Sequence, residues 1–151
     1  MTQQDFLNSL RKAKERHIQW HARALALSMG FEIGEESLPK LYTNCSFGKW
    51  YYGAGQFIAN IPSFTEIDPL HIKLHNIYMD IYQTYIAPAK KGLFEKRSQA
   101  EKKKQKELTL LTDKLKNIST LLIQKIEEVE DAILNMDNDE FVKNFITPKK
   151  I

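Results

Sequence analysis

Four histidines and one cysteine are the residues of this chain whose types and spacing point to chemistry. His17 and His21 stand four apart, and so do His71 and His75. Residues four apart share a helical face, so each pair can converge on one point. Cys45 is the only cysteine. A buried imidazole needs partners for two nitrogens, and a buried thiol offers little in return. Several such groups converging in a core are costly unless something binds them together. A divalent metal does so. Neutral imidazole and thiolate are borderline-to-soft donors, and four of them in a tetrahedron suit zinc. The matching stripes hold no carboxylate, which argues against calcium or magnesium. A di-iron bundle would want Glu-x-x-His pairs, which are absent. Any one of these histidines could be a satisfied core residue; all of them with the cysteine make that reading poor.

The elements that must position these residues read as helices. Phe6, Leu10, Ala13, His17, Trp20, Ala24 and Leu27 alternate steps of four and three, predicting an amphipathic helix over residues 3–29 with Gly30 at its end. A second helix is predicted from Ser37, with the stripe Leu38, Leu41, Cys45, Gly48 and Tyr52. Residues 56–66 have no sustained period and read as a loop or short helix. A third long helix starts between Ser63 and Pro69, runs through Ile67, His71, Leu74, Tyr78, Ile81 and Tyr85, and stops before Pro88. The last is predicted from Ser98, with Glu101 completing a capping box, to about Met136. Its stripe is Leu108, Leu111, Leu115, Ile118, Leu122, Ile126, Val129 and Ile133. At 1.5 Å per residue that stripe spans about 39 Å and the first helix about 40 Å, a match that favours a bundle over a free coiled coil. The turns before Leu108 are expected to project into solvent. The fold class is therefore all-α: an antiparallel four-helix bundle with a short extra helix or loop between the second and third long helices, over residues 1–137, followed by a tail at 138–151.

Composition sets the outer bounds. The chain has 151 residues, 42% apolar and 27% charged, which suits one globular domain and not a disordered or disulfide-stapled one. A lone cysteine forms no internal disulfide, and the polar, acidic start is unlike a signal peptide, so a cytoplasmic location is expected. No apolar run is long enough to cross a bilayer, and no membrane partner is expected. Net charge is +3. Residues 89–107 hold eight basic residues against three acids, and residues 126–140 hold seven acids and no base. Both read first as solvated helix faces, and otherwise as electrostatic contacts for a partner of opposite polarity. The basic stretch lacks interleaved aromatics and a reader motif, so no nucleic-acid partner is expected.

The wider arrangement is more specific. The sequence runs His17-Ile-Gln-Trp20, then 24 residues, then Cys45-Ser-Phe-Gly48-Lys-Trp50, then 20 residues, then His71-Ile-Lys-Leu-His75. It resembles the chemoreceptor zinc-binding (CZB) domain family, whose signature is His-x-x-Trp, Cys-x-(apolar)-Gly-x-(apolar) and His-x-x-x-His. The resemblance implies that His17, Cys45, His71 and His75 ligate zinc. It also implies signalling: such domains are commonly attached to bacterial chemoreceptors and diguanylate cyclases, report zinc or oxidants, and often form homodimers. With no receptor hairpin or cyclase motif here, the output would pass to another signalling protein.

From the residues themselves, Gly48 permits close approach by a helix or the metal. Trp20, one turn after His17, is expected to wall the site, and Phe47 and Trp50 to pack beside the cysteine's turn. His21 lies outside the signature and is read as a donor behind the ligands, an extra ligand, or a partly exposed residue near a dimer surface. Cys45 is the redox-sensitive group. A filled tetrahedron argues against catalysis, since hydrolysis needs an open position and a nearby acid or base. Two other classes stand beside the sensor: a helical metalloenzyme or dioxygen- or iron-binding protein, and a purely structural zinc scaffold that dimerises.

Overall fold

A computed structural model describes residues 1–145; residues 146–151 of the expected tail lie outside the described residues. Among the described residues the regular structure is entirely helical, with no strand. Three helices are long: α1 (Gln3–Ser28), α4 (Ile67–Ile86) and α5 (Arg97–Leu134). Between α1 and α4 lie the short helices α2 (Ser46–Tyr51) and α3 (Pro62–Thr65), with 3₁₀ turns at Glu35–Ser37 and Ala54–Ile58; α6 (Asn138–Asn144) follows α5.

The long helices form where the apolar stripes require them. Phe6, Leu10, Ala13, His17, Trp20, Ala24 and Leu27 of α1 are all buried, as are Ile67, His71, Leu74, Tyr78 and Ile81 of α4. On α5 the stripe from Leu108 to Ile133 is buried except Leu111, which is half-buried. The Thr2 hydroxyl caps α1 together with Asp5. At its other end Gly30 takes φ 93°. That conformation lets the Phe31 and Gly30 amides reach the carbonyls of Ala26 and Leu27 at 3.1 and 2.9 Å, a Schellman closure that glycine makes cheaply.

Contacts along the helices give their directions. Lys104 of α5 reaches the carbonyls of Tyr85 and Ala87, while Lys125, farther on, pairs with Glu66 at 2.6 Å. Gln3 bonds the carbonyls near the end of α5, and His17 meets Ser119. So α5 runs antiparallel to both α1 and α4, which run parallel to one another. At the Phe6 end, Phe141 of α6 is buried with its ring 6.2 Å from Phe6.

Three expectations need correction. No helix opens at Ser37: residues 38–45 are irregular, and α2 begins only after Cys45. The described residues thus give three long helices where the pattern predicted four. The 37–52 spacing mimicked a helical stripe, but Pro39 and Lys40 spend their carbonyls on Trp20 and His75 of the long helices, and Tyr42 spends its own on Cys45 of the same loop, not on an i+4 ladder. Next, α5 starts at Arg97, with the Gln99 side chain accepting from the Lys96 amide, instead of at a Ser98–Glu101 box. Finally, the turns before Leu108 do not stand free on every face. Ala100 is buried and Lys104 is tied to the end of α4, while the other lysines there are exposed or nearly so.

Candidate metal centre

The core face of α4 presents His71 and His75 one turn apart, with ring centroids 4.9 Å apart and planes at 90°. Against them the 38–45 loop delivers Cys45. Its sulfur lies 3.3 Å from His71 Nε2. One potential donor atom from each of Cys45, His71 and His75 falls within 4.8 Å of the other two, and all three residues are buried.

Cys45 is the N-cap of α2, not a residue inside a long helix. Its sulfur accepts the Gly48 amide at 3.2 Å, and as a thiol it reaches the Tyr42 carbonyl at 3.3 Å. Burial pushes the thiol above its ordinary range, and the Gly48 and Phe47 amides oppose that push. Gly48 is required by close approach. A β-carbon there would stand 1.8 Å from the Tyr42 carbonyl oxygen and 3.3 Å from His71 Cε1.

The histidines are held neutral. Burial lowers His17 and His71 to about 3, with the neighbouring imidazoles adding to the effect, and lowers His75 to about 4. His75 Nδ1 lies 2.7 Å from the Lys40 carbonyl oxygen. A carbonyl only accepts, so Nδ1 carries the proton and Nε2 keeps a free lone pair. That Nε2 is buried with no hydrogen-bond partner, as is His71 Nδ1. Unpaired buried polar atoms are rare and costly. A plain S–H···N hydrogen bond would account for the Cys45–His71 distance, but it leaves His75 Nε2 unpaired. A cation shared with Cys45 and His71 pairs it. Bonds of about 2.3 Å to sulfur and 2.0 Å to nitrogen set a tetrahedral ion's two such donors about 3.5 Å apart, close to the 3.3 Å between Cys45 and His71. The group contains no carboxylate, and a thiolate with neutral imidazoles is a donor set suited to zinc. The lock on Nδ1 by a backbone carbonyl is the usual support of a ligating histidine.

The other predicted residues divide. His17 is buried beside the group but not in it: its Nε2 is 3.1 Å from Ser119 Oγ on α5. His21 stacks on His17 at 6.4 Å; its Nε2 is buried without a partner, and it too stands outside the three-donor group. Trp20 walls the site, its ring 4.4 Å from His75 and its indole N–H donating to the Pro39 carbonyl at 3.0 Å. Phe47 covers the other flank, edge-on to His71 at 4.9 Å. Trp50 serves elsewhere, donating to Ser9 and packing on Phe6 and Phe64.

Sequence reasoning missed Ser119 and the Lys40 and Tyr42 carbonyls. Ser119 carried a signal. It stands four residues after Leu115 and three before Leu122, a small polar group at a core-facing position. The carbonyls carried none. A cavity of about 120 Å³, lined by Arg16, His17, Arg23, Cys45 and Phe47 among others, opens on this side of the site.

Fold and site together give, among the described residues, an all-helical domain with a buried Cys–His–His cluster that could hold a metal ion. Residues 17–82, a little under half of the chain, match the family described as the chemoreceptor zinc-binding domain. The match begins at His17, contains Cys45, His71 and His75, and ends within α4; α5 and Ser119 lie beyond it. No curated protein and no solved structure matches the chain.

Proposed function

We propose that this protein is a zinc-dependent regulatory domain in which His17, Cys45, His71 and His75 together hold one zinc ion, and that the occupied and metal-free states present different surfaces to a signalling partner, such as a chemoreceptor or diguanylate cyclase system. The observation that carries the reading is His75 Nε2. It is buried and unpaired, with its tautomer set by the Lys40 carbonyl, on a residue grouped with Cys45 and His71. The family match supports zinc as the ion.

Bound zinc supplies a cross-link between the 38–45 loop, α1 and α4. The chain's own residues decide what that link does. His17 must release Ser119 to offer Nε2, so occupancy and the α1–α5 contact are in competition. Stabilisation of the ligated packing follows RT ln(1 + [Zn]/Kd), about 2.7 kcal/mol at a hundredfold excess over Kd, enough to bias two packings that differ by a few kcal/mol. Cys45 adds a second input. Its conversion to sulfenic acid removes the thiolate donor, and the cavity at Arg16 and Arg23 gives a small oxidant a route to it. The short helices α2 and α3 take the place of the fourth bundle helix. Leu110 and Leu121, exposed and eleven residues apart on one face of α5, suit a homodimer contact, which light scattering would test.

Metal analysis of protein purified without added zinc tests the site. One zinc per chain, lost in Cys45→Ala and in His75→Ala, is the expected result; full occupancy in either variant would overturn the assignment. Sensing is tested separately, by asking whether zinc or peroxide changes the hydrogen exchange of α5 in wild type and not in Cys45→Ala.

A further inference from the structure

The connection between α4 and α5 presents the two most exposed large apolar side chains among the described residues. Leu93 is 90% and Phe94 97% accessible. They are the central residues of a tight turn that is held from both ends. The Glu95 amide donates to the Gly92 carbonyl at 3.1 Å, and the Gly92 amide donates to the Glu95 carboxylate at 3.1 Å. The other oxygen of that carboxylate is bound by Lys103 at 2.8 Å. The base of the connection is fixed as well: Arg97 donates to the Ala89 carbonyl, and Lys104 to those of Tyr85 and Ala87. A clamped turn therefore holds Leu93 and Phe94 outward at one end of the helical body, where burying them inward would have been the cheaper outcome.

Charge surrounds this apex. Lys90, Lys91, Lys96 and Arg97 flank it and are exposed, with Lys102 on the next turn. Of the two acids here, Glu95 is neutralised by Lys103, and exposed Glu101 stands 3.9 Å from Arg97, leaving the lysines as the uncompensated charge. A partner must accept two projecting apolar side chains and offer a field of negative charge around them. Two side chains on a convex tip bury far less than the roughly 1,000 Å² a stable protein interface requires. A bilayer needs no matching pocket: its acyl boundary takes the apolar tips while anionic headgroups meet the flanking lysines and arginine. Among the described residues no helix is long and apolar enough to cross a membrane, which bears on crossing one and not on resting against it.

We infer that the Gly92–Glu95 turn is a docking tip for anionic phospholipid surfaces, with Leu93 and Phe94 entering the headgroup–acyl boundary and Lys90, Lys91, Lys96 and Arg97 binding the headgroups. This inference is independent of the zinc reading, since the tip lies on the α4–α5 connection and none of its residues belongs to the metal centre.

The test is co-sedimentation of the full chain with vesicles of phosphatidylcholine containing about 30 mol% phosphatidylglycerol, against phosphatidylcholine alone. Wild type is expected to bind the anionic vesicles about tenfold or more tightly than the neutral ones, and less tightly as salt rises. Leu93→Ser/Phe94→Ser and, separately, Lys90→Gln/Lys91→Gln/Lys96→Gln are each expected to weaken that binding about tenfold or more. Both sets keep wild-type zinc content and melting temperature, because the altered side chains touch no part of the core. Absence of vesicle binding by wild type, equal binding to both vesicle types, or undiminished binding by the serine variant each overturns the inference. So does self-association that the serine variant abolishes while vesicle binding stays unaltered, which would assign the tip to a second copy of the chain.

Discussion

Replacing Gly48 with alanine puts the metal centre's geometry at risk with one methyl group. The new β-carbon would lie 1.8 Å from the Tyr42 carbonyl oxygen and 2.9 Å from its carbon. Real contacts of this kind do not fall below 3.0 Å, so something must open by 3.0 − 1.8 = 1.2 Å. The obstacle is backbone, not the end of a flexible side chain, and the same carbonyl accepts from Cys45. The loop cannot retreat without carrying the sulfur along. Overpacking of this sort costs about 1–3 kcal/mol, and the helix-propensity gain of Gly→Ala returns at most about 1 kcal/mol. A net loss of about 2 kcal/mol lowers the melting temperature by roughly 4–8 °C for a chain of this size. Metal–donor distances tolerate only about 0.2 Å, so zinc affinity should fall by about tenfold or more. Thermal melts with and without chelator, and competition against a chromophoric chelator, read the two effects. Gly92→Ala is the control, since a β-carbon there meets nothing nearer than 3.5 Å. Wild-type melting and wild-type zinc affinity in Gly48→Ala would refute both the approach of Tyr42 and its link to Cys45.

Four further outcomes follow from the same contacts. Ser119→Ala removes the hydrogen bond that holds His17 on α5, so metal-free protein loses about 1 kcal/mol while zinc affinity rises about fivefold; an unchanged affinity in chelator competition would show that His17 is not a ligand. Saturating zinc should raise the melting temperature of wild type by roughly 5–11 °C at a hundredfold excess over Kd, and leave Cys45→Ala within about 1 °C. With chelator present, His17, His71 and His75 are held neutral by burial at about 3, 3 and 4. Their unfolded counterparts titrate near 6.5, so their contribution is complete above pH 6.5 and is lost as pH falls to about 4 for His75 and about 3 for His17 and His71, at up to about 1.4 kcal/mol per pH unit for each residue; denaturant melts across that range that stay flat would contradict the burial. Trp20→Phe keeps a ring over His75 but loses the bond to Pro39, and should cost about 1 kcal/mol in chemical denaturation, against about 3 kcal/mol or more for Trp20→Ala.

The long helices were legible because burial repeats every three to four residues, and α1, α4 and most of α5 obey that repeat. The stretch from Ser37 to Tyr52 obeyed it too and is not one helix. Of its stripe, Leu41 and Tyr52 are exposed, and the rest are buried for different reasons: Leu38 in the core, Cys45 as a cap, Gly48 beneath a carbonyl. An apolar period in the sequence does not say which acceptors the backbone uses. Here the acceptors go to Trp20, Cys45 and His75. The end of α5 nearest α4 was misjudged for a related reason. Lys104 reads as a solvated lysine, and only the arrival of the α4 C-terminus gives its ammonium two carbonyls to bind.

By itself the sequence determined the donor types: imidazoles paired at helical spacing on core-facing positions, a local property of residue type and of 3.6 residues per turn, and a single thiol. Only the tertiary structure decided which donors meet. It brought Cys45 to His71 and His75, left His17 on Ser119, and turned Leu93 and Phe94 outward on a clamped turn. Those outcomes depend on backbone carbonyls and amides, which are alike in every residue type, and on a serine 102 residues from its partner. Nothing in the composition of a short segment can encode where a distant segment's polar groups arrive.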